Sequence, residues 1–321
     1  MEIQKDLCEW YLQHHRKLVF RESREPYYIW ISEIMAQQTR IDSMLAYFKR
    51  FVARFPTVEA LAEANIEEVL KLWEGLGYYN RARKLQAGAK IICEQYQKKL
   101  PADYDELLKI PGIGPYTAGA IASIAYDLPY PAVDGNVMRV TTRLLRMDDD
   151  IRKVKTQRMI GEIVKEWMVG SKPHIFTQAM MELGALVCTP KNPNCQGCPL
   201  QHLCLSHQFK DEMAYPYKSA TKPPLVLDYF TYVIIKDNRI LLVMDDEDGL
   251  MKGFYRLPQF SKMLYRGSVI GEAKHVFSHR IWQMKVVQSD ANIDGVWFTK
   301  EELAEIAIVT AHRKLIEKYW R

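Results

Sequence analysis

The sequence of 321 residues predicts a mainly α-helical N-terminal domain followed by a smaller α+β domain. Residues 1–204 carry apolar positions at three- and four-residue steps, which is the spacing of amphipathic helices. After Cys204 the character changes, because residues 205–224 are polar and contain three prolines, as a linker does. Residues 225–321 then contain β-rich runs separated by turn residues. We therefore expect two domains joined by that linker.

Individual helices are predicted from apolar spacing and from capping residues. Between residues 29 and 51 the apolar side chains recur as on one helix face. Asn65 with Glu68, and Asp103 with Glu106, have the spacing of capping boxes that open helices. Further helices are expected near residues 117–126, 136–146, 156–169 and 174–187.

The C-terminal part predicts a β-hairpin, more strands and a closing helix. Tyr229–Ile235 and Ile240–Val243 lie on either side of Asp237 and Asn238, two residues typical of a hairpin turn. The remaining predicted elements are strand-like segments over Val276–Val287 and Gly295–Phe298 and a helix over Glu301–Trp320.

Composition limits the class of protein only broadly. The formal charge is +5, from 44 basic and 39 acidic residues, which permits a nucleic-acid partner without requiring one. Residues 1–20 lack the apolar core of a signal peptide, and no stretch reaches the roughly 18 apolar residues of a membrane span. We expect a cytoplasmic protein, nucleoid-associated in a bacterium, with no membrane partner. In that reducing compartment its cysteines are not expected to form disulfides.

Four of the six cysteines form a C-x6-C-x2-C-x5-C array in a polar, proline-rich loop: Cys188, Cys195, Cys198 and Cys204. Four thiolates so close in sequence can surround one metal centre, and both tetrahedral zinc and a [4Fe–4S] cluster satisfy this chemistry. A centre held by four cysteines has no open coordination position, so a structural role is expected. Cys8 and Cys93 lie in helical patterns and are interpreted as packing residues.

A glycine-rich turn separates two helical patterns at residues 110–118. Gly112 and Gly114 allow positive φ and close backbone approach, and the following helix presents amide groups to an anion. A tight connection between helices is the simpler interpretation of such a turn.

Two carboxylates are candidate catalytic groups. Asp134 directly precedes a predicted helix, where it can act as N-cap and where the helix dipole favours its ionised form. Glu33 lies among mostly apolar residues, and burial would raise its pKa and retain its proton. Two carboxylates whose pKa values differ can divide the roles of acid and cation stabiliser, as in glycoside hydrolysis.

These segments together resemble the MutY family within the helix-hairpin-helix, endonuclease III superfamily of DNA glycosylases. The similar segments are the cysteine array, Ile110–Ala118, Val133–Val137, Ser32–Thr39 (the motif S-E-apolar-M-x-Q-Q-T), Gly75–Arg83 and Gln178–Ala185. The resemblance spans most of the chain, densely over residues 18–204 and thinly over 229–298. It implies a glycosylase domain with a hairpin module over about 22–130 and a cluster module formed by about 1–21 with 131–204.

The resemblance also implies an activity and a cofactor. It implies excision of adenine opposite 8-oxoguanine or guanine in double-stranded DNA, by a monomer that carries one [4Fe–4S] cluster. Glu33 would be the proton donor, and Asp134 would stabilise the sugar cation. Gly112 and Gly114 would grip a phosphate, which sets register and not sequence preference.

Tyr116 distinguishes the subclasses within the superfamily. Bifunctional relatives carry a lysine at this position as a Schiff-base nucleophile, whereas this chain has Tyr116. A monofunctional enzyme is therefore expected, with Tyr116 and Asn136 supporting Asp134. Two alternatives stay open here, a bifunctional pyrimidine glycosylase with lyase activity and a non-catalytic zinc-containing DNA-binding protein.

The resemblance assigns the remaining DNA contacts. Gln38 and Tyr78 would wedge into the duplex when adenine is flipped out. Gln178 would line the adenine pocket, beside Phe20 and Arg21. The family's L-P-W-R motif is Leu-Val-Phe-Arg in this chain, so a base would stack on Phe20 without the indole donor of tryptophan.

The C-terminal domain is expected to be Nudix-like and to recognise 8-oxoguanine through Ser278 and His279. The catalytic R-E-x-x-E-E cluster of Nudix hydrolases is missing from the sequence, so nucleotide hydrolysis is not expected. Arg280 stands where an apolar residue is usual in the family.

Overall fold

The computed structural model describes residues 2–244, 252–277 and 279–320. The chain divides into two compact units. The first, called the helical unit, comprises Met1–Ala62 and Ala87–Ala220, and the second, called the mixed unit, comprises Glu63–Gln86 and Thr221–Arg321. The predicted fold class, a helical domain and a smaller α+β domain, is confirmed.

The helices of the chain are α1 (Glu2–His14), α2 (Pro26–Ala36), α3 (Ile41–Arg54), α4 (Val58–Glu63), α5 (Ile66–Trp73), α6 (Asn80–Gln95), α7 (Tyr104–Lys109), α8 (Pro115–Tyr126), α9 (Gly135–Leu145), α10 (Val154–Met168), α11 (Pro173–Leu186), α12 (Leu205–Phe209), α13 (Glu302–Glu305) and α14 (Thr310–Tyr319). Short 3₁₀ turns occur at Val19–Arg21, Cys195–Gly197, Gln201–Leu203 and Glu212–Ala214. In the described part of the chain, none of these helices has the length and apolar character needed to cross a bilayer.

Most predicted helices are present near their expected bounds. Asp103 accepts a hydrogen bond from the Glu106 amide at 2.9 Å, so the predicted cap opens α7. Asn65 caps α5 in the same way through the amide of Glu67. The helices α8 to α11 confirm the remaining predictions for the helical unit.

The single helix face predicted over residues 29–51 is wrong. The chain forms two helices there, and Gln38 between them has φ +56°. Helix α2 is buried on almost every face, from Tyr27 to Met35, whereas α3 buries one stripe only. Because a helix buried on all sides and an amphipathic helix both place apolar residues at three- and four-residue steps, the spacing did not reveal the break.

The predicted linker is only partly a linker. Leu205–Phe209 form α12 and Glu212–Ala214 form a 3₁₀ turn, and both lie within the helical unit. The Arg143 guanidinium donates to the carbonyl oxygens of Glu212 and Tyr215 at 2.8 and 3.2 Å, and Arg146 pairs with Asp211 at 2.7 Å. These hydrogen bonds from α9 and from its C-cap, Arg146, hold the polar segment, and the boundary between the units falls at residues 220–221.

The strands of the mixed unit form two sheets. Their bounds are β1 (Leu225–Val233), β2 (Ile235–Lys236), β3 (Arg239–Leu242), β4 (Gln259–Phe260), β5 (Ser268–Val276), β6 (Arg280–Gln288) and β7 (Val296–Phe298). One sheet has the order β4-β1-β6-β5 and the other β2-β3-β7; β1 and β6 are parallel and the other neighbours antiparallel. The predicted hairpin is confirmed, because Asp237 and Asn238 both have positive φ between β2 and β3.

The continuous helix predicted over Glu301–Trp320 is wrong. The chain leaves helical geometry between α13 and α14, where Val309 donates to the Tyr255 carbonyl at 3.0 Å and Tyr255 donates to the Ala307 carbonyl at 2.8 Å. This strand-like pairing replaces helical hydrogen bonds. It depends on a partner about 50 residues away in the chain, which local spacing cannot show.

Candidate active site

A cavity of about 190 Å³ lies within the helical unit. It is bounded by α2, by the start of α8 and of α9, by α11, and by the segment around the 3₁₀ turn Val19–Arg21. The predicted site residues that line it are Phe20, Arg21, Glu33, Tyr116, Asp134, Asn136 and Gln178. The structure therefore brings together residues that are up to 158 positions apart in the sequence.

Glu33 lies in the middle of α2, and only 8 % of the residue is exposed. The hydroxyl of Tyr116, in the first turn of α8, donates a hydrogen bond to Glu33 Oε2. Burial raises the pKa of Glu33 to about 7, although this hydrogen bond acts in the opposite direction. A carboxyl group with this pKa can donate a proton near neutral pH.

Asp134 is the N-cap of α9, as the sequence indicates. Its Oδ1 accepts from the Val137 amide at 2.7 Å, and its Oδ2 accepts from the Asn136 side-chain amide at 2.7 Å. Burial raises the pKa of Asp134, and these two hydrogen bonds oppose the rise by favouring the anion. Both oxygens are therefore held in fixed positions at the cavity wall.

Tyr116 connects the two carboxylates electrostatically. Burial, followed by the charges of Glu33 and Asp134, raises the pKa of Tyr116 well above its ordinary value. The phenol therefore stays protonated and acts as a donor to Glu33.

Arg139 connects this cavity to the cysteine loop and was not singled out by the sequence. Its Nη2 donates to Asn136 Oδ1 at 2.9 Å, and its Nε donates to the backbone carbonyl of Cys188 at 2.7 Å. Asn136 in turn donates to Asp134, so a continuous series of hydrogen bonds runs from Cys188 to the catalytic candidate. The sequence offers no signal for this role, because only the folded chain shows that Arg139 is buried.

Close packing also fixes Asn136. Gly184 on α11 faces it so closely that an added Cβ would lie 2.5 Å from Asn136 Cβ. A glycine is required at this position because a side chain would displace the amide that orients Asp134.

The glycine-rich turn has the expected backbone at one of its two glycines. Gly112 has φ +85°, a conformation that favours glycine, whereas Gly114 is extended and is the N-cap of α8. Gly114 has no side chain to accept the first amides of this twelve-residue helix. The turn can therefore present amide donors to an anion.

Phe20 and Gln178, which are 158 positions apart in the sequence, both line the cavity. The Phe20 ring packs edge-on against Phe48, with ring centroids 6.0 Å apart. The Gln178 amide donates to the His174 carbonyl at 3.0 Å, which fixes the orientation of its side chain.

The predicted wedge residues lie on turns outside this cavity. Gln38 follows α2 in the helical unit, and Tyr78 precedes α6 in the mixed unit; both have positive φ. Tyr78 is 42 % exposed, with the Arg81 guanidinium 5.5 Å from its ring centroid. Gln38 is exposed as well, so both side chains are accessible to a ligand.

Tyr78 lines a second cavity, of about 270 Å³, within the mixed unit. The other lining groups include His275, near the end of β5, and Phe277 and His279 from the turn between β5 and β6. The His275 and Phe277 rings pack edge-on, with centroids 4.5 Å apart. Ser278, also predicted to contact the base, lies outside the described residues.

The four clustered cysteines lie in a loop that follows α11, close enough to interact electrostatically. Burial raises the pKa of Cys198 to about 11, and the neighbouring Cys188 and Cys204 add to the rise. The Arg143 guanidinium lies 3.4 Å from Cys188 Sγ, and the Ser206 hydroxyl lies 3.4 Å from Cys204 Sγ. A thiolate donor set with a buried cation and hydroxyl beside it fits an anionic iron–sulfur cluster.

His207 and Glu212 are further polar groups at this loop, and the sequence did not single them out. His207 Nδ1 lies 2.7 Å from Glu212 Oε1, and both side chains lie within 4.8 Å of Cys195 Sγ. This pair occurs in the segment that was predicted as a linker.

Comparison with known protein families supports this interpretation. Residues 31–166 match the family described as HhH-GPD superfamily base excision DNA repair protein. Residues 188–204 match the iron-sulfur binding domain of endonuclease III, and residues 230–318 match the NUDIX domain. The chain is thus a base-excision DNA repair protein of the glycosylase class with an iron–sulfur cluster, and the predicted iron–sulfur cofactor is confirmed.

Similarity to individual proteins identifies the family more narrowly than the superfamily match does. An adenine DNA glycosylase of Buchnera aphidicola subsp. Schizaphis graminum is 30% identical over 337 residues, with 97% of this chain and 96% of the relative covered. The human adenine DNA glycosylase is 30% identical over 398 residues, with 98% of this chain and 73% of the human protein covered. A non-covalent endonuclease III–DNA complex is 28% identical with a TM-score of 0.53, covering 65% of this chain and 94% of that one. The chain belongs to the adenine DNA glycosylase family.

Proposed function

We propose that this protein removes adenine opposite 8-oxoguanine or guanine in double-stranded DNA by hydrolysing its N-glycosidic bond. The observation that carries the proposal is that Glu33, Tyr116 and Asp134 line the same cavity, where Tyr116 donates a hydrogen bond to Glu33. A buried acid with a pKa of about 7 and a hydrogen-bonded carboxylate then face the same extruded nucleotide.

The proposed reaction begins with adenine flipped out of the duplex into the cavity. Glu33 donates its proton to N7 of the purine, which makes the base a better leaving group. The bond to the sugar then breaks, and the carboxylate of Asp134 stabilises the oxocarbenium character that develops. Glu33, now ionised, accepts a proton from the attacking water, and the product is an abasic site.

Tyr116 supports a monofunctional reaction. Its phenol lacks the amine needed for an imine with the sugar, and it is engaged with Glu33. Strand cleavage should therefore require added alkali. A stable enzyme–DNA adduct after incubation with borohydride would favour a bifunctional lyase instead.

The remaining predicted residues are proposed as DNA contacts. Gly112 and Gly114 would place backbone amides against a phosphate. Gln38 and Tyr78 would fill the space that the flipped adenine leaves, which is consistent with their exposed positions on turns. Phe20, Arg21 and Gln178 would contact the adenine itself.

The C-terminal domain, residues 225–321, is proposed to recognise 8-oxoguanine. The cavity lined by Tyr78, Phe277 and His279 supports this role, because a base can stack on its aromatic rings while the imidazole offers a polar contact. Ser278 is proposed as a further contact on the basis of its sequence motif.

The iron–sulfur cluster is proposed to be [4Fe–4S], held by Cys188, Cys195, Cys198 and Cys204. Its chemistry when bound is structural: thiolate ligation orders the loop that carries the Arg139 contact. The hydrogen bond from Arg139 to Cys188 then supports the orientation of Asn136 and Asp134.

Single-turnover cleavage assays test the proposal. The substrates are duplexes with adenine opposite 8-oxoguanine, adenine opposite guanine, and an oxidised pyrimidine, each with and without alkali. We expect alkali-dependent cleavage of the two adenine duplexes, and a loss of at least ~100-fold for Glu33→Gln. Glu162→Gln, which neutralises an exposed carboxylate on α10, is the matched control. Normal adenine release by Glu33→Gln would contradict the mechanism.

A further inference from the structure

Behind one wall of the helical cavity lies a carboxylate that the proposed reaction does not use. Glu182 on α11 is fully buried and accepts hydrogen bonds from two arginines. Arg16 donates through its backbone amide, Nε and Nη2 at 2.8–2.9 Å, and Arg21 donates through Nη1 at 2.8 Å. Both arginines line the cavity.

The ionisation of Glu182 is secured by these contacts. Burial opposes the charge, but the hydrogen bonds from Arg16 and the charge of Arg21 outweigh it and lower the pKa of Glu182 to about 2. Glu182 therefore stays ionised, and its negative charge cancels one of the two positive charges carried by Arg16 and Arg21.

The charge balance matters because Glu33 has to carry a proton. The positive charge of Arg21 acts on Glu33 and favours its ionised form. Protonated adenine and the oxocarbenium-like sugar are also cationic, so unpaired guanidinium groups would oppose both. Further charged or titratable groups near this cavity, among the described residues, are Tyr11 beside Arg21 and Glu182, Tyr116, Asp134, Asp42 near Arg16, and Arg24, which pairs with Asp127 beside His174.

We infer that Glu182 is a positioning residue: it anchors Arg16 and Arg21 at the cavity wall and neutralises enough of their charge to keep Glu33 protonated. This inference rests on the proposed adenine excision. The pairing of both guanidinium groups with Glu182 also explains why Arg16 and Arg21 can line a cavity in which the base and the sugar become cationic.

The test is the pH dependence of the single-turnover rate on an adenine–guanine duplex. For the native chain the rate should fall as the pH rises above about 7, because Glu33 loses its proton. In Glu182→Gln the cavity gains one net positive charge, so this fall should begin about one pH unit lower. In Arg16→Gln the cavity loses one positive charge, so the fall should begin at a higher pH. The double variant should return toward the native profile.

Shifts of opposite sign in the pH profiles of Glu182→Gln and Arg16→Gln would distinguish this role from a merely structural one. A loss of rate that is equal at every pH in Glu182→Gln, or shifts of the same sign in both single variants, would overturn the inference. Glu162→Gln should leave the profile unchanged, because its exposed carboxylate is on α10. Visible absorbance of the cluster and the melting temperature check that each variant is folded. Absence of adenine release by the native chain at any pH would instead overturn the proposed function, and this inference with it.

Discussion

The cavity in the helical unit and the cavity around Tyr78 in the mixed unit are built on different principles. The cavity in the helical unit is lined by side chains on helices whose polar atoms are held by hydrogen bonds, such as Asp134 with Val137 and Asn136. The cavity in the mixed unit is lined mainly by turns and aromatic rings, including Tyr78 and Phe277. Bond cleavage needs charges held in place before the transition state forms, whereas contact with a base needs stacking area and a few polar groups. Substitutions should therefore affect rate in the first cavity and discrimination in the second.

The largest effect is expected for Asp134→Asn. Asparagine retains the N-cap but removes the negative charge, so the single-turnover rate should fall about 10³-fold. Asp103→Asn is a matched control, because Asp103 is the N-cap of α7 and accepts a similar hydrogen bond. Equal rates for both variants would show that the charge of Asp134 is not used in the reaction.

A smaller loss of rate is expected for Gly184→Ala. The new Cβ would lie 2.5 Å from Asn136 Cβ, and the shift of Asn136 would misplace Asp134, so we expect a loss of about 10²-fold. Gly161→Ala adds the same group to α10 where the nearest atom is 3.9 Å away, and its rate should be unchanged. A crystal structure of Gly184→Ala with Asn136 undisturbed would refute this explanation.

The second cavity is tested by His279→Ala. We expect about tenfold weaker binding to a duplex with 8-oxoguanine and little change for the same duplex with guanine. The cleavage rate at saturating enzyme should be nearly that of the native chain. If the rate fell equally on both duplexes, the separation of recognition from chemistry would be incorrect.

The smallest effect concerns the stability of the mixed unit alone. His312 is fully buried, its Nδ1 accepts from the Leu257 amide at 3.0 Å, and burial lowers its pKa to about 3. The unfolded chain binds a proton near pH 6.5 and the folded chain does not, so this stability is present above 6.5 and is lost as the pH falls. Between pH 7.5 and 5.5 the free energy of unfolding should drop by about 1.4 kcal/mol from this group. Denaturant unfolding of the native chain and of His312→Gln at both values measures the difference, and an equal drop in both would contradict it.

Features that depend on neighbouring residues could be predicted from the sequence, whereas features that depend on distant contacts could not. Caps such as Asp103 and the turn residues Asp237 and Asn238 act within a few positions, and each was predicted correctly. The break at Gln38 and the interruption near Val309 were missed, because burial on all sides and a distant backbone partner decide them. Glu182 lies within the family segment Gln178–Ala185, but its pairing with Arg16 and Arg21 spans more than 160 positions.

The sequence by itself determined the class of fold, the cysteine array, and the types of residue available for acid and cation-stabilising roles. These properties depend on periodicity, spacing and side-chain chemistry, which are local. The tertiary structure alone decided that Glu33 is buried against Tyr116 and that this burial raises the pKa of Glu33 to about 7. It also decided that Arg16 and Arg21 pair with Glu182 beside the same cavity. A pKa and a charge balance depend on solvent exclusion and on distances between atoms, and only the folded chain sets those distances.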